Sequence, residues 1–187
     1  MKNNPKLCRI KIMGGKVITI FGTSRVKDGD SVFELAYGLG RLCAEAGFVI
    51  ANGGYGGTML AAAKGAKSAG GKTIGVTCSA FGRKGANEFI TQEIKTENLA
   101  QRVAKLVETG DAYVVLAGGT GTMLELAEIW ELTNKGFINP AKPIILMGDF
   151  WRPLVELMAK DDAESRECVR FAGGAEEAVE MLKECLK

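Results

Sequence analysis

Short, nearly unbroken apolar runs alternate along this chain with longer stretches in which apolar residues recur at helical spacing. The first clear run is KVITIF, Lys16–Phe21, β-branched and preceded by glycine, which predicts a buried strand. Ser31–Ala46 follows with Val32, Leu35, Ala36, Leu39 and Leu42 on one helical face and Gly47 as its stop. The same alternation predicts a strand at Phe48–Ala51, a small-residue helix at Thr58–Ala69, and a strand at Lys72–Thr77. Further on it predicts a helix at Thr96–Thr109, a strand at Ala112–Leu116, a helix from Thr122 to about Lys135 and a strand at Pro143–Met147. A helix at Trp151–Ala159, a short strand at Val169–Phe171 and a closing helix at Ala175–Leu186 complete the pattern. Cys8–Met13 also alternates, and Gly14-Gly15 could turn it into the first strand as a hairpin. Cys78–Lys95 shows no clean period and reads as a long loop, which in a compact domain is more often functional than idle. Strands that are apolar on both faces and separated by helices predict an α/β fold: a three-layer sandwich with a mostly parallel sheet and helices on both faces. No repeat or linker interrupts the pattern, so residues 1–187 are expected to form a single domain.

Composition narrows the chemistry. With 24 Lys and Arg against 22 Asp and Glu, there is no global charge to attract nucleic acid or an anionic membrane. The chain has no histidine, which excludes Ser-His-Asp and Cys-His catalysis and HExxH zinc sites. Five cysteines without a CxxC pair suggest independent reduced thiols in a cytoplasmic protein. No apolar run reaches membrane-spanning length, and the N-terminus lacks a signal-peptide core. No metal and no cofactor is expected.

The 25 glycines concentrate in loops, and three of these loops follow predicted strands: Gly22-Thr23-Ser24, Gly53-Gly54-Tyr55-Gly56-Gly57 and Gly118-Gly119-Thr120-Gly121-Thr122. In a parallel sheet such loops converge on one crevice beyond the carboxyl ends of the strands. The third loop has the clearest physics: glycine backbone approaches a ligand closely, the following helix N-terminus suits a phosphate, and two threonines add hydroxyl donors. Its alternative is a tight strand-to-helix turn that binds nothing. Thr122 and Glu125, three apart at a helix start, make a capping box, and on spacing alone Glu125 is a cap. Arg102 flanks an apolar stripe, and on spacing alone it is a surface arginine whose stem covers apolar area. No GxGxxG follows the first strand and no GxxxxGK[ST] occurs, so neither a dinucleotide fingerprint nor a P-loop is present.

Together these residues resemble the LOG family of cytokinin-activating nucleoside-monophosphate phosphoribohydrolases, many of which were long mislabelled lysine decarboxylases. Its PGGxGTxxE motif is matched by Ala117-Gly118-Gly119-Thr120-Gly121-Thr122-Met123-Leu124-Glu125, and its Gly-Ser-Ser-like turn by Gly22-Thr23-Ser24. Its GGGxxGLMG loop is matched by Asn52-Gly53-Gly54-Tyr55-Gly56-Gly57-Thr58-Met59, and its MHxRK segment by Leu99-Ala100-Gln101-Arg102-Val103. The similarity runs from about Val17 to about Leu157. Four positions depart from the pattern: Ala117 replaces the proline, Ala100 and Val103 the histidine and lysine, and Asn52 the first glycine of the second loop.

The resemblance implies a Rossmann-like fold, a homodimer, and hydrolysis of an AMP-like nucleotide to free base and ribose 5-phosphate. It implies that Arg102 and Glu125 form the catalytic pair. Gly22, Thr23, Ser24, Gly53, Gly54, Gly57, Thr58, Met59 and Gly118–Thr122 would bind the ligand and its phosphate, and Glu88 or Glu93 could reach the base. Related branches of the same superfamily include molybdenum-cofactor carriers, which bind a phosphorylated pterin without hydrolysing it, and binding without catalysis is the alternative reading. A pyridoxal-phosphate lysine decarboxylase is not expected, since nothing marks a Schiff-base lysine.

Overall fold

The computed structural model describes residues 15–139 and 142–187. The expected hairpin of Cys8–Met13 lies outside the described residues. Among the described residues seven strands form one sheet: β1 (Val17–Phe21), β2 (Val49–Asn52), β3 (Thr73–Cys78), β4 (Gln92–Thr96), β5 (Ala112–Val115), β6 (Ile144–Met147) and β7 (Val169–Ala172). They lie in the order β4-β3-β2-β1-β5-β6-β7, and all six pairings are parallel. The described residues also form six α-helices, five between strands and the last after β7: α1 (Ser31–Glu45), α2 (Thr58–Ser68), α3 (Leu99–Thr109), α4 (Thr120–Asn134), α5 (Arg152–Met158) and α6 (Ala175–Cys185). The fold is the expected Rossmann-like three-layer sandwich.

The pleat explains both layers, because neighbouring residues on a strand point to opposite faces. Ile18, Ile20, Ile50, Val114 and Ile145 pack against α1, α2 and α6, while Phe21, Val76, Tyr113, Val115 and Ile144 pack against α3, α4 and α5. The small residues of α2 let it lie close to α1: a methyl group at Gly65 would fall on the Tyr37 carbonyl, and one at Gly40 on the Ala62 carbonyl.

One sequence expectation fails here. Cys78–Lys95 is not an uninterrupted loop, for it contains a short 3-10 segment, Ser79–Phe81, and ends in strand β4. β4 is one edge of the sheet, paired with β3 alone and mostly exposed, so its sequence QEIKT carries neither an apolar run nor a clean alternation. Among the described residues, no helix is long and apolar enough to cross a membrane, and no cluster of three or more His, Cys, Asp or Glu could hold a metal.

Candidate active site

Strand order reverses at β1: the chain first builds outward through β2, β3 and β4, then crosses to the other side of β1 to place β5. The loops after β1 and β5 therefore part at this point and leave a crevice at the carboxyl ends of the strands. They stay tied at their base, where the Thr23 amide donates to the Ala117 carbonyl (3.2 Å). The loop after β2 is held to them in turn, since the amide and the hydroxyl of Thr58 both donate to the Thr23 carbonyl (2.9 and 3.0 Å). The result is a cavity of about 610 Å³, within the usual range for a small-molecule site.

Most of the residues singled out in the sequence line this cavity: Gly22, Thr23, Ser24, Gly53, Met59, Gly118, Gly119, Thr120, Gly121, Thr122, Arg102 and Glu125. Gly54, Gly57 and Thr58 do not, and stand behind the wall. Gly54 and Gly57 take positive φ (75° and 64°), and a side chain at Gly57 would strike the Thr23 carbonyl, so both serve the turn itself. Glu88 and Glu93 are also outside the lining; Glu93 instead accepts from the Thr77 hydroxyl (2.7 Å) and the Ala86 amide (3.1 Å).

The loop Gly118–Thr122 differs from a tight turn in one respect. None of its glycines has positive φ, and a methyl group at Gly119 or Gly121 would meet nothing within 4 Å. Neither conformation nor packing within the protein requires glycine there. Gly118 alone is sterically confined, by the Thr122 side chain. Helix α4 begins at Thr120 with Gly119 as its N-cap and no side-chain cap. The amides of its first turn, which have no intrahelical acceptor, thus open toward the cavity.

This start of α4 overturns the capping-box reading. Thr122 is the third residue of the helix rather than its cap, and Glu125 lies more than a turn inside it, 8% exposed. Its Oε1 accepts from Arg102 Nη1 at 3.2 Å. The surface reading of Arg102 fails as well, since it is only 6% exposed. Its Nε donates to the Val76 carbonyl (3.0 Å), its Nη2 lies 4.0 Å from Met59 Sδ, and its guanidinium carbon is 5.7 Å from the ring centres of both Tyr55 and Phe81. Asn98 caps α3 through the Gln101 amide (2.9 Å) and so fixes the first turn that carries this arginine. Burial pushes the Glu125 carboxyl up to about 7, against the opposing pull of the Arg102 charge and hydrogen bond. A carboxyl group divided between its two protonation states near neutrality, beside a fixed cation in a cavity, can exchange a proton with a bound molecule.

Gly53 makes room for this pair. A methyl group there would fall on the Arg102 guanidinium and come within 2.7 Å of Met59 Sδ. Gly53→Ala is expected to push Arg102 off Glu125 and to lower site function about tenfold to a hundredfold with little change in the far-ultraviolet circular dichroism. Ligand titration and a crystal structure of the variant check this; an undisturbed Arg102–Glu125 pair would contradict it.

Sequence reasoning missed several lining residues. Arg25, Tyr55, Phe81, Arg83, Leu99, Leu124 and Phe150 all border the cavity. The aperiodic segment after β3 was the available signal for Phe81 and Arg83. The Tyr55 hydroxyl accepts from the Cys78 amide (2.8 Å) and donates to the Cys78 carbonyl (3.2 Å), which anchors the ring against β3.

A family model described as "Possible lysine decarboxylase" matches residues 59–185. An uncharacterized protein of Archaeoglobus fulgidus is 39% identical over 121 residues, covering 64% of this chain and 77% of that protein. The cytokinin riboside 5′-monophosphate phosphoribohydrolase of Rhodococcoides fascians is 32% identical over 145 residues, covering 75% of this chain and 72% of its own length. Among solved structures, the molybdenum cofactor binding protein of Rippkaea orientalis superimposes with a TM-score of 0.77 at 28% identity, covering 94% of this chain and 99% of that one.

Proposed function

We propose that this chain, which belongs to the family described as possible lysine decarboxylase, hydrolyses the N-glycosidic bond of a nucleoside 5′-monophosphate to free base and ribose 5-phosphate. The observation that carries the reading is the buried Arg102–Glu125 pair facing a cavity whose other wall is the glycine loop at the start of α4. The phosphate sits on the first-turn amides of α4 with the hydroxyls of Thr120, Thr122 and Ser24, where the helix dipole and free N–H groups favour an anion. The ribose then lies against Glu125. As the C1′–N bond lengthens, its electron pair leaves with the base and positive charge grows on the ribose ring. The Glu125 carboxylate stabilises that charge and takes a proton from the attacking water, whose oxygen bonds to C1′. The proton returns to the departing base nitrogen, so the site ends as it began. Arg102 keeps enough of Glu125 ionised for this role and holds it in place.

The description of the family suggests amino-acid decarboxylation, which in pyridoxal-phosphate enzymes needs a lysine amine in the site. Among the described residues no lysine lines the cavity. The likeness to a molybdenum cofactor binding protein over 94% of the chain favours a second reading, in which the same loops hold a phosphorylated pterin without cleaving it. Purified protein incubated with AMP, GMP, CMP and UMP, with base release followed by chromatography, separates the two. No base from any nucleotide, while ligand still raises the melting temperature, would leave binding and remove hydrolysis.

The exposed Met123 and Leu124 of α4 and Leu99 of α3 support assembly as a homodimer beside the cavity mouth. The glycine loop has its own test. Gly121 lies in the first turn of α4 without packing or φ demanding glycine. Gly121→Ala is therefore expected to stabilise the free protein by about 0.5 kcal/mol, while weakening phosphate-ligand affinity at least tenfold. Thermal melts with and without nucleotide give both numbers, and equal nucleotide affinity in the variant would argue against a phosphate here.

A further inference from the structure

The cavity carries more positive than negative charge. Among the described residues, Arg25, Arg83 and Arg102 line it against the single carboxylate of Glu125. Arg102 is paired with Glu125 at 3.2 Å. Arg83 follows β3, three strand spacings or about 14 Å from β5, and its guanidinium carbon lies 4.6 Å from the centre of the Tyr55 ring. Arg25 stands elsewhere. It follows Ser24 in the loop after β1, and β1 is the strand next to β5.

Among the described residues no group answers the Arg25 charge, for its side chain forms no ion pair, hydrogen bond or ring contact. The acidic residues that follow it are committed elsewhere. Asp28 accepts from Lys64 Nζ (2.7 Å), Asp30 from the Lys27 amide (2.7 Å) and Glu34 from the Gly29 amide (3.2 Å). The backbone of Arg25, by contrast, is held. Its amide donates to the Thr23 hydroxyl (3.2 Å), and the Thr23 amide is tied to the carbonyl of Ala117, the residue before the glycine loop. The side chain therefore springs from a point fixed close to the start of α4.

That helix start is open on its outer side. Gly119, Thr120 and Gly121 are exposed, and a methyl group at Gly119 or Gly121 would meet nothing within 4 Å. A helix N-terminus is equivalent to about half an elementary charge. A phosphomonoester carries about −1.5 to −2 near pH 7. The amides of α4 thus leave most of the charge of such a group unbalanced. Arginine supplies a full charge and a planar fork that matches two phosphate oxygens. Of the three arginines, only Arg25 is both unpaired and next to the β5 loop.

We infer that Arg25 reaches over the phosphate from the β1 loop, opposite the first turn of α4, and makes the site select phosphomonoesters over their unphosphorylated counterparts. The inference rests on a phosphate at the start of α4, which the nucleotide and pterin readings share. Arg25 acts in binding. The phosphate is remote from the bond that breaks and keeps its charge throughout, so the contact is as strong before the transition state as in it. Its loss raises KM more than it lowers kcat.

The experiment titrates wild type, Arg25→Ala, Arg25→Lys and Gly121→Ala with ribose 5-phosphate and with adenosine, by calorimetry at low and raised salt. Arg25 is exposed on a loop, so its variants are expected to fold normally. Arg25→Ala is expected to weaken ribose 5-phosphate about tenfold to a hundredfold and to flatten its salt dependence. Lysine, which keeps the charge without the fork, recovers part of the loss. Adenosine affinity stays within about twofold of wild type in Arg25→Ala. With a nucleotide that is cleaved, Arg25→Ala raises KM about tenfold or more and changes kcat by less than about threefold. If Arg25→Ala binds ribose 5-phosphate as wild type does while Gly121→Ala loses it, the inference is overturned and the phosphate at the glycine loop stands. An equal loss of adenosine also overturns it, since the arginine then acts on the shape of the loop. No ribose 5-phosphate bound by wild type overturns both. If the binding results are as expected and no nucleotide is cleaved, hydrolysis alone fails and the role of Arg25 is sustained.

Discussion

Glu125→Gln is expected to lower base release by a hundredfold to ten-thousandfold, the usual contribution of a positioned general base. Glutamine keeps the size of the side chain and can still accept from Arg102, so nucleotide affinity by isothermal titration should change less than tenfold. The pH dependence gives the sharper test. Because burial pushes the Glu125 carboxyl up to about 7, the wild-type rate should fall with acidity below that value, as the carboxylate form is lost. The residual rate of the variant should show no such limb. The same elevation acts on stability with the opposite sense. A carboxyl group that holds its proton more tightly in the folded state stabilises the fold below its ordinary value of 4.5, and this contribution disappears as pH rises through about 7. Denaturant unfolding between those two values should therefore show a declining contribution in wild type that Glu125→Gln lacks. A variant that retains full turnover would remove Glu125 from the chemistry.

Arg102→Ala should be the more damaging change for the fold. It removes the cation beside a carboxylate that is only 8% exposed, leaves the Val76 carbonyl without its donor, and opens space beside Met59. Breaking one half of a buried pair typically costs about 3–5 kcal/mol. For a chain of this size that corresponds to a fall in Tm of roughly 6–20 °C. The loss should be larger at pH 8.5 than at pH 5.5, because Glu125 then has to be ionised without a partner, whereas at low pH it is protonated in either protein. Turnover at neutral pH should fall at least a hundredfold, with its acidic limb moved to higher pH, since the charge that favoured the carboxylate is gone. Equal destabilisation at both pH values would mean that the arginine acts through packing alone.

Much of the architecture was legible along the chain because burial on both faces forces strands to be apolar throughout, and the helices between them carry one apolar stripe. Glycine placement marked the strand-to-helix loops for the same local reason. The misses share a cause as well. β4 is stabilised by a single neighbouring strand and faces solvent, so no local pattern marks it. Glu125 stands at capping-box spacing from Thr122, yet the helix begins three residues earlier than that spacing implies, with Gly119 rather than Thr122 at its cap. The position of Arg102 at the margin of an apolar stripe fits a surface residue equally well, until β3 and α4 are packed around it.

By itself, then, the sequence determined the order and type of the buried elements and the presence of an open glycine loop, because both depend on residues adjacent in the chain. The resemblance to a known family also pointed to Arg102 and Glu125 together. Only the tertiary structure decided what those two residues are to each other. Their pairing spans 23 positions and depends on Gly53 leaving space, on Val76 supplying a carbonyl, and on the sheet order that brings the ends of β2, β3 and β5 to one crevice. The elevated carboxyl of Glu125 belongs to the same level of organisation, since burial by distant segments is a property of the folded chain.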